Sequence, residues 1–145
     1  MIALFLFAVA SLGAATPPRI AIIGGPQPLW PEILAEFQHR YPALDAQWDL
    51  SPGTGSGEYD LISAYYPTSE QMAGASSIAA KHYLGFPVDF VARTWKAVDG
   101  EAGTHAAAYL DEGGVENGVR LLLYLYTLVD KTAPAPEPPV GAGLP

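Results

Sequence analysis

Three structural elements are encoded in succession by residues 19–50, RIAIIGGPQPLWPEILAEFQHRYPALDAQWDL. Its first six residues form a short apolar run rich in isoleucine, which is typical of a parallel strand covered on both faces. From 30 to 41 the apolar residues recur at the spacing of an amphipathic helix, and Pro42 ends it. Residues 43–50 alternate apolar and polar side chains, which predicts a strand with one wetter face.

A strand, a helix and a strand with short connections make a βαβ unit, whose two strands are parallel. A third strand is predicted over 58–66, EYDLISAYY. The apolar cluster that follows leaves two alternatives open, a short strand over 88–91 or an extended surface segment. Helices are predicted over 103–112, with Thr104 as cap, and over 115–129. The fold class is therefore α/β: a small Rossmann-like three-layer domain with a short, mostly parallel sheet and a C-terminal apolar helix.

Both ends of the sequence differ in composition from this middle part. Residues 1–15, MIALFLFAVASLGAA, have the apolar run and small residues of an export signal. The alternatives are a buried first strand or a misassigned start. Residues 132–145 are rich in proline and glycine, which predicts a polyproline-like or disordered tail that does not pack. The α/β domain is thereby assigned to residues 16–131.

The signal-like segment determines the expected location. If the signal is real, the mature chain is exported to the periplasm or the extracellular space; otherwise it is cytoplasmic. No stable membrane span is expected, because a span needs about 20 consecutive apolar residues.

Composition excludes several classes of function. The net charge is −8 and the seven lysines and arginines are scattered, so no basic stripe exists for nucleic acid. Without cysteine there is no disulfide, thiolate metal site or thiol nucleophile. The three histidines lack zinc-motif spacing, and a metal site that combines His82 with His105 is the weakest of the hypotheses. No self-contained catalytic constellation is visible.

Ligands of open α/β sheets bind at the carboxyl ends of the strands, which makes Tyr65, Tyr66, Thr68, Ser69 and Glu70 candidates for the lip of a ligand pocket. Of these, Tyr65, Tyr66 and Glu70 are the candidate ligand-binding residues. The alternative, which local propensity favours, is a strand end followed by a helix cap formed by Thr68 or Ser69 with Glu70 and Gln71. Two glycines also follow the first strand, but GGPQP lacks the spacing G-x-G-x-x-G, so dinucleotide binding has little support.

The most distinctive segment is 109–128, YLDEGGVENGVRLLLYLYTL. Its last part leaves almost no polar face, which predicts that the helix exposes an apolar surface to a partner through Leu121, Leu125 and Leu128. The segment resembles the family of the cobaltochelatase large subunit (CobN) and the magnesium-chelatase H subunit. In that family a Gly-Gly-x-Glu-Asn step follows a Rossmann-like region and leads into a leucine-rich helix. The matching positions are Gly113, Gly114, Glu116, Asn117, Leu122 and Leu123.

Proteins of that family insert Co²⁺ or Mg²⁺ into a tetrapyrrole with the help of ATP-hydrolysing subunits. The large body that holds tetrapyrrole and metal is absent from this sequence. The resemblance therefore implies a non-catalytic or split N-terminal module linked to metal insertion into, or handling of, tetrapyrroles or corrinoids in cobalamin-type biosynthesis. It implies a chelatase-like large chain as partner, tetrapyrrole or Co²⁺ as ligand, and Gly113, Gly114, Glu116 and Asn117 as ligand-binding residues.

A second hypothesis, from another class, is an exported domain that binds a small solute or another protein and has no chelatase role. The signal-like first residues and the acidic composition motivate it.

Overall fold

Four parallel strands form one sheet in the order β2-β1-β3-β4. They are β1 (Arg19–Gly24), β2 (Gln47–Asp49), β3 (Tyr59–Tyr65) and β4 (Ala80–Phe86). The computed structural model describes residues 16–25, 27–50, 58–71, 78–86 and 100–140. The chain is an α/β domain with a parallel sheet and flanking helices, Rossmann-like in its topology, as the βαβ pattern predicts.

The sheet is accompanied by α1 (Trp30–Arg40), α2 (Gly100–Glu112) and α3 (Gly114–Val129), and residues 69–71 are helical as well. A 3-10 turn over Gln27–Leu29 precedes α1. Helix α1 packs on α3, α3 packs on α2, and α2 packs on β4. None of the helices in the described ranges is long and apolar enough to cross a bilayer.

Among the described residues the core has two parts, because β1 is buried on both faces. Ile20 and Ile22 belong to the larger cluster, which contains residues of all three helices. Ala21 and Ile23 point the other way, into a smaller cluster with Ile62 and other residues of β3. This two-sided burial explains why RIAIIG is apolar without alternation.

Several boundaries differ from the sequence-based predictions. The second strand is shorter than the predicted 43–50, because only Gln47–Asp49 pair with β1. The fourth strand lies earlier than 88–91, which is outside the described residues, and it pairs with β3 from Ala80 to Phe86. Thr104 is not the cap of α2, because the helix already begins at Gly100. Close packing gives a reason for the arrangement: a Cβ on Gly103 would lie 2.2 Å from the carbonyl oxygen of Gly85 in β4.

The proline-rich segment is partly packed, contrary to the expectation of an unpacked tail. Its residues 132–140 are described, and Pro139 is buried. Side chains of α2 and α3 bind its backbone: the Tyr109 hydroxyl donates to the Glu137 carbonyl at 3.2 Å, and Asn117 binds both backbone groups of Val140. Composition alone missed these contacts because their donors lie in other elements. Residues 1–15 and 141–145 are outside the described residues.

Candidate functional site

The sheet order creates a crevice between β1 and β3. From β1 the chain runs through α1 to β2 on one side of β1, whereas β3 lies on the other side. Connections that leave neighbouring strands in opposite directions open a gap beyond their carboxyl ends, where open α/β sheets bind ligands. A cavity of about 540 Å³ occupies this place. Its described lining residues are Gly24, Gly25, Pro28, Tyr66, Thr68, Gln71, Leu110 and Asp111.

The floor of the cavity is backbone that only glycine can provide. Gly24 has φ +80°, and a Cβ there would lie 2.1 Å from the Tyr65 carbonyl oxygen. Gly25 donates its N–H to the same oxygen at 3.2 Å. The indole N–H of Trp30 donates to the Gly24 carbonyl at 2.9 Å. These contacts hold the exits of β1 and β3 together and bring Trp30 next to the site.

A tyrosine and an aspartate form the polar wall. The Tyr66 hydroxyl donates to Asp111 Oδ1 at 2.9 Å, across 45 positions of sequence. Partial desolvation, together with the hydrogen bond to Asp111 and its negative charge, raises the pKa of Tyr66, so the phenol stays protonated as a donor. Tyr66 has φ +47°, a left-handed conformation that is costly for an aromatic residue. Strained backbone of this kind clusters at functional sites.

The third side is the helix cap that the sequence suggested after β3. The Thr68 N–H donates to Gln71 Oε1 at 2.8 Å, and the Gln71 N–H donates to Thr68 Oγ1 at 3.1 Å. This reciprocal pair is a capping box, and it confirms Thr68 with Gln71 as the cap. Both residues also line the cavity, so the cap and the cavity lip are the same structure.

Of the pocket-lip residues predicted from sequence, Tyr66 and Thr68 are among the described residues that line this cavity. Tyr65 is fully buried and accepts a hydrogen bond from Ser63 at 2.5 Å, and burial raises its pKa. Glu70 is exposed but is not among the described lining residues. Gly113 and Gly114 form the corner between α2 and α3, where both have positive φ.

The polar residues of the Gly-Gly-x-Glu-Asn step have partners within the chain. Glu116 accepts two hydrogen bonds from the Arg40 guanidinium, at 2.8 and 2.9 Å. The hydrogen bonds from Arg40 lower the pKa of Glu116, and the charge of Arg120 adds to this. Asn117 is 3% exposed and donates to the Gly113 carbonyl at 3.0 Å.

The positions predicted to bind a partner lie mostly in the core. Leu121 and Leu125 are fully buried, so this fold offers them to no partner, which corrects the expectation of an apolar surface at these two positions. Leu128 is partly buried against the same cluster. Neighbouring helices cover α3 more completely than the helical pattern alone suggested.

Sequence reasoning missed Asp111, Leu110 and Pro28. In the sequence Asp111 stands beside Glu112 at a helix end, and nothing local connects it to a strand end. Helix α2 packs along β4, and this packing brings the last turn of α2 to the crevice. A signal did exist for Gly24 and Gly25, because paired glycines directly after a first strand permit close backbone approach.

The metal hypothesis gains no geometric support. No group of three or more histidine, aspartate or glutamate residues within the described ranges is placed to hold a metal ion. His82 is on β4 and His105 on α2; both are exposed. The ring of His105 lies against Tyr124, with 4.6 Å between ring centroids. The described lining of the cavity at β1 and β3 instead combines one carboxylate, two hydroxyls and one amide with apolar walls.

The fold and the crevice define the class of protein: a Rossmann-like α/β domain with its cavity at the topological switch point. Comparison of the chain with protein-family models, with curated proteins and with solved structures finds no match.

Proposed function

We propose that this protein is a binding domain for a small polar solute that carries hydroxyl or amino groups. The observation that supports this most is the cavity of about 540 Å³ at the carboxyl ends of β1 and β3, with Asp111 and Tyr66 on its wall. Small-molecule sites have this size, and in open α/β sheets they lie at this place.

The side chains at the cavity favour a donor-rich, neutral or cationic ligand. Asp111 is exposed and accepts hydrogen bonds, and one carboxylate has lone pairs for several donors. The described lining contains no lysine or arginine that would offset the charge of a phosphate. Pro28 and Leu110 add apolar surface for the carbon skeleton of the solute.

This set of groups supports binding rather than catalysis. A nucleophile needs a base within hydrogen-bonding distance, and a third group usually orients that base. Among the described lining residues, the Tyr66 hydroxyl bound to Asp111 is the nearest approach to such a pair. The raised pKa of Tyr66 makes its phenol a poorer nucleophile.

The test is a ligand screen on the full chain with a matched pair of variants. Polyols, amino sugars, amines and phosphate esters are compared by the rise in melting temperature and by calorimetric titration. For a solute that binds, Asp111→Asn should lower the affinity about tenfold or more, since a hydrogen bond to a charged group contributes about 1.5–3 kcal/mol. Trp30 fluorescence should report the same binding, because its ring lies against Gly25.

The control is Glu112→Gln, which removes the same charge at the next residue of α2. Glu112 is exposed and outside the described lining, so its replacement should change the affinity less than twofold. If Asp111→Asn and Glu112→Gln bind the solute with equal affinity, the solute binds at another place. A screen in which only phosphate esters bind would contradict the proposed ligand chemistry.

The resemblance of residues 109–128 supports a second proposal, a non-catalytic module of a chelatase-like complex that handles tetrapyrroles or corrinoids. The observation in its favour is that the Gly113-Gly114 corner is exposed and Glu116 is partly exposed, so a chelatase-like large chain can reach this step. Tetrapyrrole titration followed at the Soret band, Co²⁺ titration, and sedimentation with a chelatase-like chain test it. No spectral shift, no Co²⁺ binding and no association would remove it.

Export stays a proposal that rests on residues 1–15. The mass of the protein isolated from its host tests it. A chain that lacks these residues supports export, and an intact first residue contradicts cleavage.

A further inference from the structure

A groove on the helical side of the domain already contains a peptide, namely part of the chain itself. The end of α1, α3 and residues 134–137 surround a cavity of about 360 Å³. From 131 to 140 the chain has neither helix nor strand. Its sequence, KTAPAPEPPV, favours the extended conformation of proline-rich peptides.

Asn117 binds this segment through its backbone. The side-chain Nδ2 donates to the Val140 carbonyl at 3.1 Å, and Oδ1 accepts the Val140 N–H at 2.7 Å. A third bond, from Nδ2 to the Gly113 carbonyl at 3.0 Å, fixes the orientation of the amide, because the flipped amide would satisfy none of the three. A buried amide that pairs with both groups of one residue recognises extended backbone irrespective of its side chain.

Arg120 and Tyr109 bind Glu137 and the residue that follows it. Arg120 donates from Nη2 to Glu137 Oε2 at 3.0 Å and from Nη1 to the Pro138 carbonyl. The Tyr109 hydroxyl donates to the Glu137 carbonyl at 3.2 Å. Carbonyl groups of proline-rich segments have no internal partners, so donors of this kind are the usual way to bind them.

We propose that Asn117, Arg120 and Tyr109 form a peptide-binding site for an extended, proline-rich partner peptide with a glutamate before its prolines. Residues 137–140 occupy it in cis. Pro139 is the one buried residue of 131–140, whereas the side chain of Glu137 is 79% exposed and Val140 is 52% exposed. Hydrogen bonds therefore hold the cis segment more than apolar burial does, and it can be displaced. The site is remote in sequence from β1 and β3, and the proposal does not depend on the solute-binding function.

The experiment uses the full chain and a fluorescently labelled peptide with the sequence of residues 131–140. Glu137→Lys puts a positive charge against Arg120, which weakens the cis segment but leaves the groove unchanged. The labelled peptide should then bind this variant at least tenfold more tightly than it binds the wild-type chain, in which the cis segment competes. Fluorescence anisotropy measures both affinities.

The matched control is the same peptide with its glutamate replaced by lysine. The Glu137→Lys variant should bind this lysine peptide at least tenfold more weakly than it binds the unsubstituted peptide. In the reverse arm, Arg120→Glu should prefer the lysine peptide over the glutamate peptide. Circular dichroism establishes that each variant is folded, and if Arg120→Glu fails to fold, the Glu137→Lys arm decides. Absence of binding to folded Glu137→Lys, or equal binding of both peptides, would overturn the proposal.

Discussion

Arg40 and Glu116 connect the end of α1 to the first turn of α3 through two parallel hydrogen bonds, Nη1 to Oε2 at 2.8 Å and Nη2 to Oε1 at 2.9 Å. Planar guanidinium and carboxylate groups favour this bidentate geometry. Arg40 also donates from Nε to Glu36 at 2.7 Å, and Arg120 approaches Glu116 at 3.4 Å. Hydrogen bonds to Glu116 and Glu36 raise the pKa of Arg40, and the hydrogen bonds from Arg40 lower that of Glu116.

The lowered pKa of Glu116 predicts a pH dependence of stability. A carboxylate whose pKa is lower in the folded chain stabilises it above the unfolded value, here 4.5, and the stabilisation is lost as the pH falls through the folded value. The side chains of Arg40 and Glu116 are each more than a third exposed, so solvent weakens their interaction. We therefore expect Glu116→Gln to lower the free energy of unfolding by about 1 kcal/mol at neutral pH. Urea unfolding at a series of pH values should show a smaller acid-induced loss in this variant than in the wild type.

The control for this prediction is again Glu112→Gln, an exposed carboxylate outside the Arg40 network. Its acid-induced loss of stability should match that of the wild type. If the free energy of unfolding falls equally with pH in the wild type and in Glu116→Gln, the assigned role of the Arg40–Glu116 pair is contradicted.

A buried hydroxyl pair in β3 gives a second prediction. Ser63 donates to the Tyr65 hydroxyl at 2.5 Å, and both residues are fully buried. Ser63→Ala removes this donor from a buried phenol oxygen, for which we expect a loss of about 1–3 kcal/mol in the free energy of unfolding. In a double-mutant cycle with Tyr65→Phe, the second substitution should cost less in the Ser63→Ala background than in the wild type. Additive costs would mean that the bond contributes little.

Sequence predicted β1 and α1 well because their patterns are local, whereas the alternation over 43–50 yields a strand of only three residues, Gln47–Asp49. β1 is one apolar run, and it begins and ends at the predicted residues, Arg19 and Gly24. The apolar stripe of α1 is buried through Ile33 and Phe37. For β4 the sequence leaves two alternatives open, a strand over 88–91 or an extended surface segment, because its residues give no clear alternation; pairing with β3 decides its position, Ala80–Phe86.

The candidate site was less predictable because its parts meet only in three dimensions. Tyr66 was identified from its place after a strand, and that place is local. Asp111 lies 45 positions further along the chain and reaches Tyr66 only when α2 packs against β4 at Gly103 and Gly85. No pattern in one sequence encodes this contact. Docking of residues 131–140 depends on Asn117 and Arg120 in the same way.

The packing of α1 on α3 predicts the effect of a small substitution. A Cβ on Gly118 would lie 2.4 Å from Ile33 Cδ1 and 2.7 Å from its Cγ1. Gly118→Ala should therefore destabilise the domain by about 1–3 kcal/mol, despite the better helix propensity of alanine. Ile33→Val removes the nearest of these atoms, so the double variant should be more stable than the sum of the two single effects predicts. Thermal and urea unfolding measure this coupling, and simple additivity would contradict the close contact.

The strained backbone at Tyr66 predicts that stability and binding change in opposite directions. Tyr66 has φ +47°, a conformation that asparagine tolerates better than an aromatic residue, and its side chain is largely exposed. Tyr66→Asn should therefore leave the free energy of unfolding unchanged or raise it by up to about 1 kcal/mol. The affinity for the solute that binds at Asp111 should nevertheless fall, since the phenol on the cavity wall is lost. Tyr66→Phe is the matched control: it keeps the strain and removes only the hydroxyl, so it should be less stable than Tyr66→Asn. If Tyr66→Asn loses more than about 1 kcal/mol while Tyr66→Phe does not, the ring stabilises the fold by packing, and the strain is not a cost borne for binding.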